Sequence, residues 1–150
     1  MSGLAYSDPC PFEAGKTLGE CLLTPTKIYV KQLMPTIKSG RINALAHITG
    51  GGLLENIPRV LTKDLAVKID CSSWPLPPVF KWLQKLGNVS NTELSRTFNC
   101  GIGMVMLLPE ANVAEVTRQV AATGEKVYRL GTTIARAFNA DQVQLDGILA

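Results

Sequence analysis

A chain of 150 residues, 46% hydrophobic and 18% charged, is long enough to bury one sizeable core and short for two. Its net charge of +3 is unevenly spread: Thr24 to Lys63 holds Lys27, Lys31, Lys38, Arg41, Arg59 and Lys63 against Glu55 alone, a net +5, and the remainder sums to −2. No apolar run approaches the ~20 residues of a membrane span, and Cys10, Cys21, Cys71 and Cys100 lack the two-residue spacing of a zinc or redox pair, which excludes both classes and predicts reduced thiols in a cytoplasmic protein.

Along the chain, Met1 to Gly19 carries Gly3, Pro9, Pro11, Gly15 and Gly19 with little periodicity and reads as an irregular lead-in. Residues 1–21 are therefore set apart from a folded domain over 22–150. Thr24-Pro25 offers a capping oxygen followed by proline, and Val30, Leu33, Met34 and Ile37 share one helical face. A helix is expected from Thr24, kinked or split at Pro35 and ended by Gly40. Ile42 to Thr49 reads as a strand; after three glycines, Leu53, Leu54, Ile57, Val60 and Leu61 form another helical face, broken at Pro58. Leu65 to Asp70 alternates like a half-exposed strand, Ser72 to Pro78 is a rigid loop, and Pro78 to Leu86 is a helix stopped by Gly87. Thr92 to Thr97 predicts a short helix, and the apolar run Ile102 to Leu108 a strand central in its sheet. Val113, Val116 and Val120 predict a helix closed by Gly124, with Lys126 to Ala135 and Gln142 to Ile148 as final strands. This order predicts an α/β class, an α+β sandwich whose helices pack on one side of a mixed sheet.

The stretch Ala46-His47-Ile48-Thr49-Gly50-Gly51-Gly52-Leu53-Leu54-Glu55-Asn56 passes from strand through glycines into helix. Glycine permits φ > 0 and close approach to the backbone, and a helix start offers unpartnered N–H groups, so the junction suits an anion or serves as a plain turn. It lacks the Gly-Lys-Ser/Thr ending of a Walker loop and the spacing of a dinucleotide fingerprint. A basic segment around such a turn suits a phosphorylated small molecule, although a solvated basic helix face gives the same count.

Arg96-Thr97-Phe98-Asn99-Cys100-Gly101-Ile102-Gly103-Met104 repeats the pattern. Asn99 with Gly101 and Gly103 forms either a second cradle, with Arg96 as a bidentate phosphate partner, or a tight turn beside a surface arginine. His47, the only histidine, is a catalytic candidate or a core histidine, and no nearby carboxylate or serine argues for a triad. Cys100 has no second histidine to generate a thiolate. Trp74, Phe80 and Trp82 read as packing residues, and the Lys27 to Lys38 lysines as a basic face of the kind nucleic-acid binders also carry.

Leu22-Leu23-Thr24-Pro25-Thr26-Lys27-Ile28-Tyr29-Val30-Lys31, the run Ala46 to Leu61, and Arg96 to Met104 together resemble the C-terminal domain of phosphoribosylformylglycinamidine cyclo-ligase, also called aminoimidazole ribonucleotide synthetase. The likeness holds in order and spacing from about Ser2 to Arg136. Ser2-Gly3-Leu4-Ala5-Tyr6-Ser7-Asp8-Pro9-Cys10-Pro11 looks more like the form within eukaryotic multifunctional purine-synthesis proteins than the free-standing bacterial one.

The resemblance implies ATP-dependent closure of formylglycinamidine ribonucleotide to aminoimidazole ribonucleotide, releasing ADP and phosphate. ATP phosphorylates the formyl amide oxygen, and the amidine nitrogen then attacks to form the ring. It further implies that ATP and magnesium are held mainly by an N-terminal domain that also carries the main dimer interface. Neither that domain nor its histidine-serine-asparagine-glycine segment is in this sequence, so the lead-in is expected to follow from it and the chain to be inactive alone. On this resemblance His47 is the catalytic candidate; Thr49, Gly50, Gly51, Gly52, Asn56, Arg96, Asn99 and Gly101 are expected to bind substrate or phosphate, and no metal ligand is assigned. Formylglycinamidine ribonucleotide, the N-terminal domain and a second copy in a homodimer are the expected partners, with no nucleic acid or membrane. Formylglycinamidine synthetase and selenophosphate synthetase share the architecture but differ in the His47 to Asn56 loop. An alternative from another class is a non-catalytic fragment or interaction module that pairs with full-length purine-synthesis enzymes.

Overall fold

Capping begins the order of the chain earlier than its composition suggests. In the computed structural model, which describes residues 2–147 and 149, the lead-in contains a short helix, α1 (Leu18–Leu22), started by a capping box. The Thr17 hydroxyl accepts from the Glu20 amide at 3.3 Å, and the Glu20 carboxylate accepts from the Thr17 amide at 2.7 Å. Met1, Ile148 and Ala150, at the outer limits of the expected lead-in and last strand, lie outside the described residues.

Helix α2 (Val30–Lys38) starts six residues after Thr24, and Pro35 sits inside it without splitting it. Tertiary contacts override the local cap signal. Lys27 is drawn to Glu125 at 2.6 Å and Tyr29 packs against His47, so residues 24–29 stay non-helical. Only Leu33 of the apolar face is buried, whereas Val30, Met34 and Ile37 remain exposed.

Strand β1 (Ala44–His47) is half the expected length. The glycine turn leads into α3 (Gly52–Asn56), which passes into a 3-10 turn over Ile57–Val60 at the expected Pro58 break. Strand β2 (Leu65–Asp70), α4 (Pro78–Gly87) and α5 (Asn91–Thr97) follow close to expectation, with Ser90 as the N-cap of α5. They are succeeded by β3 (Met104–Leu107), α6 (Glu110–Ala121), β4 (Gly131–Ala135) and β5 (Val143–Asp146).

The mixed α/β class stands, with the strands divided between two sheets. β1 and β3 form an antiparallel pair with His47 opposite Met104. β2 is the centre of a three-stranded mixed sheet, antiparallel to β4 and parallel to β5. β3 therefore has one partner and is not central: its apolar residues are matched by burial on both faces. Ala46 and Val105 face the main core with Leu53, Ile57, Ile69 and Trp74, while Leu45, Met104 and Met106 meet Leu33 of α2 and Val116 and Val120 of α6. Residues 126–130, expected in a strand with β4, lie outside its ladder, although Leu130 still accepts from the Asp70 amide at 2.8 Å. Among the described residues no helix is long and apolar enough to cross a membrane.

Candidate functional site

The glycine turn is built around a buried carboxamide. Asn56, 3% exposed, donates from Nδ2 to the carbonyl oxygens of Gly52 at 2.8 Å, Gly50 at 3.2 Å and Thr49 at 3.4 Å. In a trans peptide the N–H points opposite to the C=O. Turning the Thr49, Gly50 and Gly52 carbonyls inward to Asn56 therefore turns the N–H groups of Gly50, Gly51 and Leu53 away from it. Among the described residues the Thr49, Gly50 and Gly51 amides donate to no group of the protein, and Thr49 and Gly50 are exposed. Gly50 and Gly51 are thus adjacent donors both free and turned outward, an anion-binding geometry.

The three glycines differ in what they do. Gly50 borders open space. Gly51 takes φ 97°, where any side chain is strained, and the Glu55 carboxylate folds back beside it. Gly52 takes φ 55° and is buried; a Cβ there would overlap the Ser95 carbonyl oxygen and lie 2.7 Å from that of Phe98. Gly52 is thus a packing residue that seats α3 on α5, and Asn56 a clamp inside the loop. Both were expected among the ligand-binding residues, and the structure turns them inward.

Strand alternation places the remaining candidates. Ala46 and Ile48 are buried, so His47 and Thr49 share the exposed face, which removes the core-histidine reading of His47. Its ring stands edge-on to Tyr29, with centroids 6.1 Å apart and planes at 71°. The Thr49 hydroxyl donates to Asn56 Oδ1 at 3.4 Å, a long bond that leaves its lone pairs free.

The second loop lies against the first, since Gly52 abuts the end of α5 and the Ile48 amide donates to the Gly103 carbonyl at 2.9 Å. Its own groups are engaged internally. Asn99 Oδ1 accepts from the Gly101 amide at 3.0 Å, and a Cβ at Gly101 would lie 2.6 Å from the Pro77 ring. Trp74 Nε1 donates to the Cys100 carbonyl at 2.9 Å. Arg96 is exposed and paired with Glu93 at 3.7 Å. Of the two readings of this loop, the tight turn beside a surface arginine is the one its geometry fits. Burial pushes the Cys100 thiol up to about 11, unsuited to a nucleophile.

The sequence pattern assigned no role to Tyr29 or Glu55; Tyr29 meets His47 and Gly103, far away in the chain, and Glu55 folds back on Gly51. A cleft of about 910 Å³ runs between β3 and residues 124–133, lined by Tyr29, Trp74, Met104 and Tyr128; of the candidate residues of the two loops, Gly101 and Gly103 border it. Its lining carries two ion pairs, Lys27 with Glu125 and Arg129 with Glu110 at 2.8 Å, together with Lys126, which makes no ion pair among the described residues; the unpaired loop amides lie elsewhere, at the glycine turn. Among the described residues no three His, Cys, Asp or Glu side chains converge as metal ligands would. Residues 2–143, which include both loops, match the family model for AIR synthase related protein, C-terminal domain.

Proposed function

Because the chain belongs to the AIR synthase related family as a C-terminal domain, we propose that it forms the substrate side of a phosphoribosylformylglycinamidine cyclo-ligase of de novo purine synthesis. The observation that carries this reading is the run of unpaired amides at Thr49, Gly50 and Gly51, those of Gly50 and Gly51 turned outward, beside an exposed histidine on the strand that leads into them.

In this reading the amides bind the anionic oxygens of the ribose 5′-phosphate or of the transferring phosphoryl group. Preset donors are effective there because they need no reorganisation as charge moves. His47 orients the formyl amide and takes up the proton that the amidine nitrogen loses as the ring closes. ATP supplies the phosphoryl group that makes the formyl oxygen a leaving group. The free amides suit such a phosphate, but the described residues offer no magnesium set; the reading assigns the metal and most ATP contacts to an N-terminal domain. Glu55, beside Gly51, must swing aside when an anion arrives, because like charges repel.

Calorimetric titration with formylglycinamidine ribonucleotide, with and without a separately expressed N-terminal half plus Mg-ATP, tests the proposal. It requires binding without turnover by this chain and turnover when the halves are combined. Absence of binding in both arrangements would refute it.

The second reading, an interaction module, draws on the exposed apolar side chains Val30, Met34 and Ile37 along α2 and Ile28 just before it. Titrating full-length cyclo-ligase with this chain separates the two, since a decoy lowers activity and a complementing half raises that of an isolated N-terminal domain.

A further inference from the structure

We propose that Tyr29 is a positioning residue for His47, locking the imidazole plane relative to the Thr49 to Gly51 amides; the catalytic consequence rests on the cyclo-ligase reading, but the contact itself does not. The Tyr29 ring is held on several sides. Its edge-on partner is His47 at 6.1 Å between centroids. Its hydroxyl occupies the notch left by Gly103, where a Cβ would overlap the oxygen and lie 2.9 Å from Cζ. Lys27 Nζ stands 5.9 Å from the ring centroid and is tethered to Glu125 at 2.6 Å, whose side chain is only 13% exposed.

These contacts bridge the two loops. Gly103 accepts from the Ile48 amide at 2.9 Å, next in the chain to His47, so the ring spans the same backbone pair that positions the imidazole. An exposed histidine at a strand end samples several rotamers, and a fixed aromatic edge removes that freedom before substrate arrives. Burial raises the Tyr29 hydroxyl above its ordinary value, so the ring stays uncharged at neutral pH.

The single histidine makes the test unambiguous, because all imidazole carbon-bound proton signals in a spectrum of the full chain come from His47. Wild type should show cross-peaks between the Tyr29 and His47 rings and a ring-current displacement of the His47 protons. Tyr29→Phe should keep that displacement. Tyr29→Leu should abolish it, as should Gly103→Ala, which alters neither ring but fills the notch. Missing cross-peaks in wild type, or a folded Tyr29→Leu variant with unmoved His47 signals, would overturn the contact. In the reconstituted enzyme, with rates taken per folded protein as counted by circular dichroism, Tyr29→Leu should lower kcat about tenfold or more with KM little changed while Tyr29→Phe stays near wild type; equal kcat in the folded Tyr29→Leu variant would overturn the positioning role. Failure of the reconstitution itself would count against the cyclo-ligase reading and leave the spectroscopic result to decide the contact.

Discussion

Asn56 decides the chemistry of the glycine turn without facing solvent. A single carboxamide collects three loop carbonyls, and peptide planarity converts that inward attraction into outward donors at Gly50 and Gly51. Gly50 is the position at which this arrangement can be interrogated cleanly, because it borders open space and its φ lies outside the left-handed range. Gly50→Val should leave stability within about 0.5 kcal/mol while lowering affinity for formylglycinamidine ribonucleotide at least tenfold by shielding the amides. A folded variant with wild-type affinity in calorimetry would remove the cradle from the account. At this scale the motif itself was legible: a glycine run between strand and helix marks exposed amides. The division of labour within it was not, since Gly52 and Asn56 acquire inward roles only through α5 and through carbonyls whose directions no residue pattern records.

The joint between α3 and α5 is where the two loops become one structure. Gly52 at φ 55° has the Ser95 and Phe98 carbonyls against it, so Gly52→Ala combines a left-handed strain with a steric overlap. The expected loss is about 3 kcal/mol, seen as a thermal midpoint lowered by roughly 6–12 °C for a chain of this size; a midpoint within a degree of wild type would show that the joint is not tight. Elements carried by local periodicity, such as β2, α4 and α5, are readable in the sequence because their burial pattern is set by nearest neighbours. α2 departs from its Thr24-Pro25 signal because Lys27 and Tyr29 are held by Glu125 and His47, partners far away in the chain. β3 looks like a central strand because both its faces are covered, though it pairs with β1 alone. Lys126 to Leu130 has strand-like composition but lies along the cleft and outside the β4 ladder.

Across the whole molecule, the two sheets share one apolar core, while the polar site lies on its surface where β1 ends. That separation sets the cleft between β3 and residues 124–133, lined by apolar side chains and by the pairs Lys27–Glu125 and Arg129–Glu110, apart from the turn that carries free donors. The family assignment spans both regions and so does not choose between them; the amide geometry does. The most direct test is a titration of this chain with formylglycinamidine ribonucleotide followed by amide and imidazole signals in nuclear magnetic resonance. The account predicts saturable shifts concentrated at Thr49, Gly50, Gly51, Leu53 and the His47 ring. Shifts confined instead to Trp74, Met104 and Tyr128 in the cleft, with the glycine turn unmoved, would contradict it.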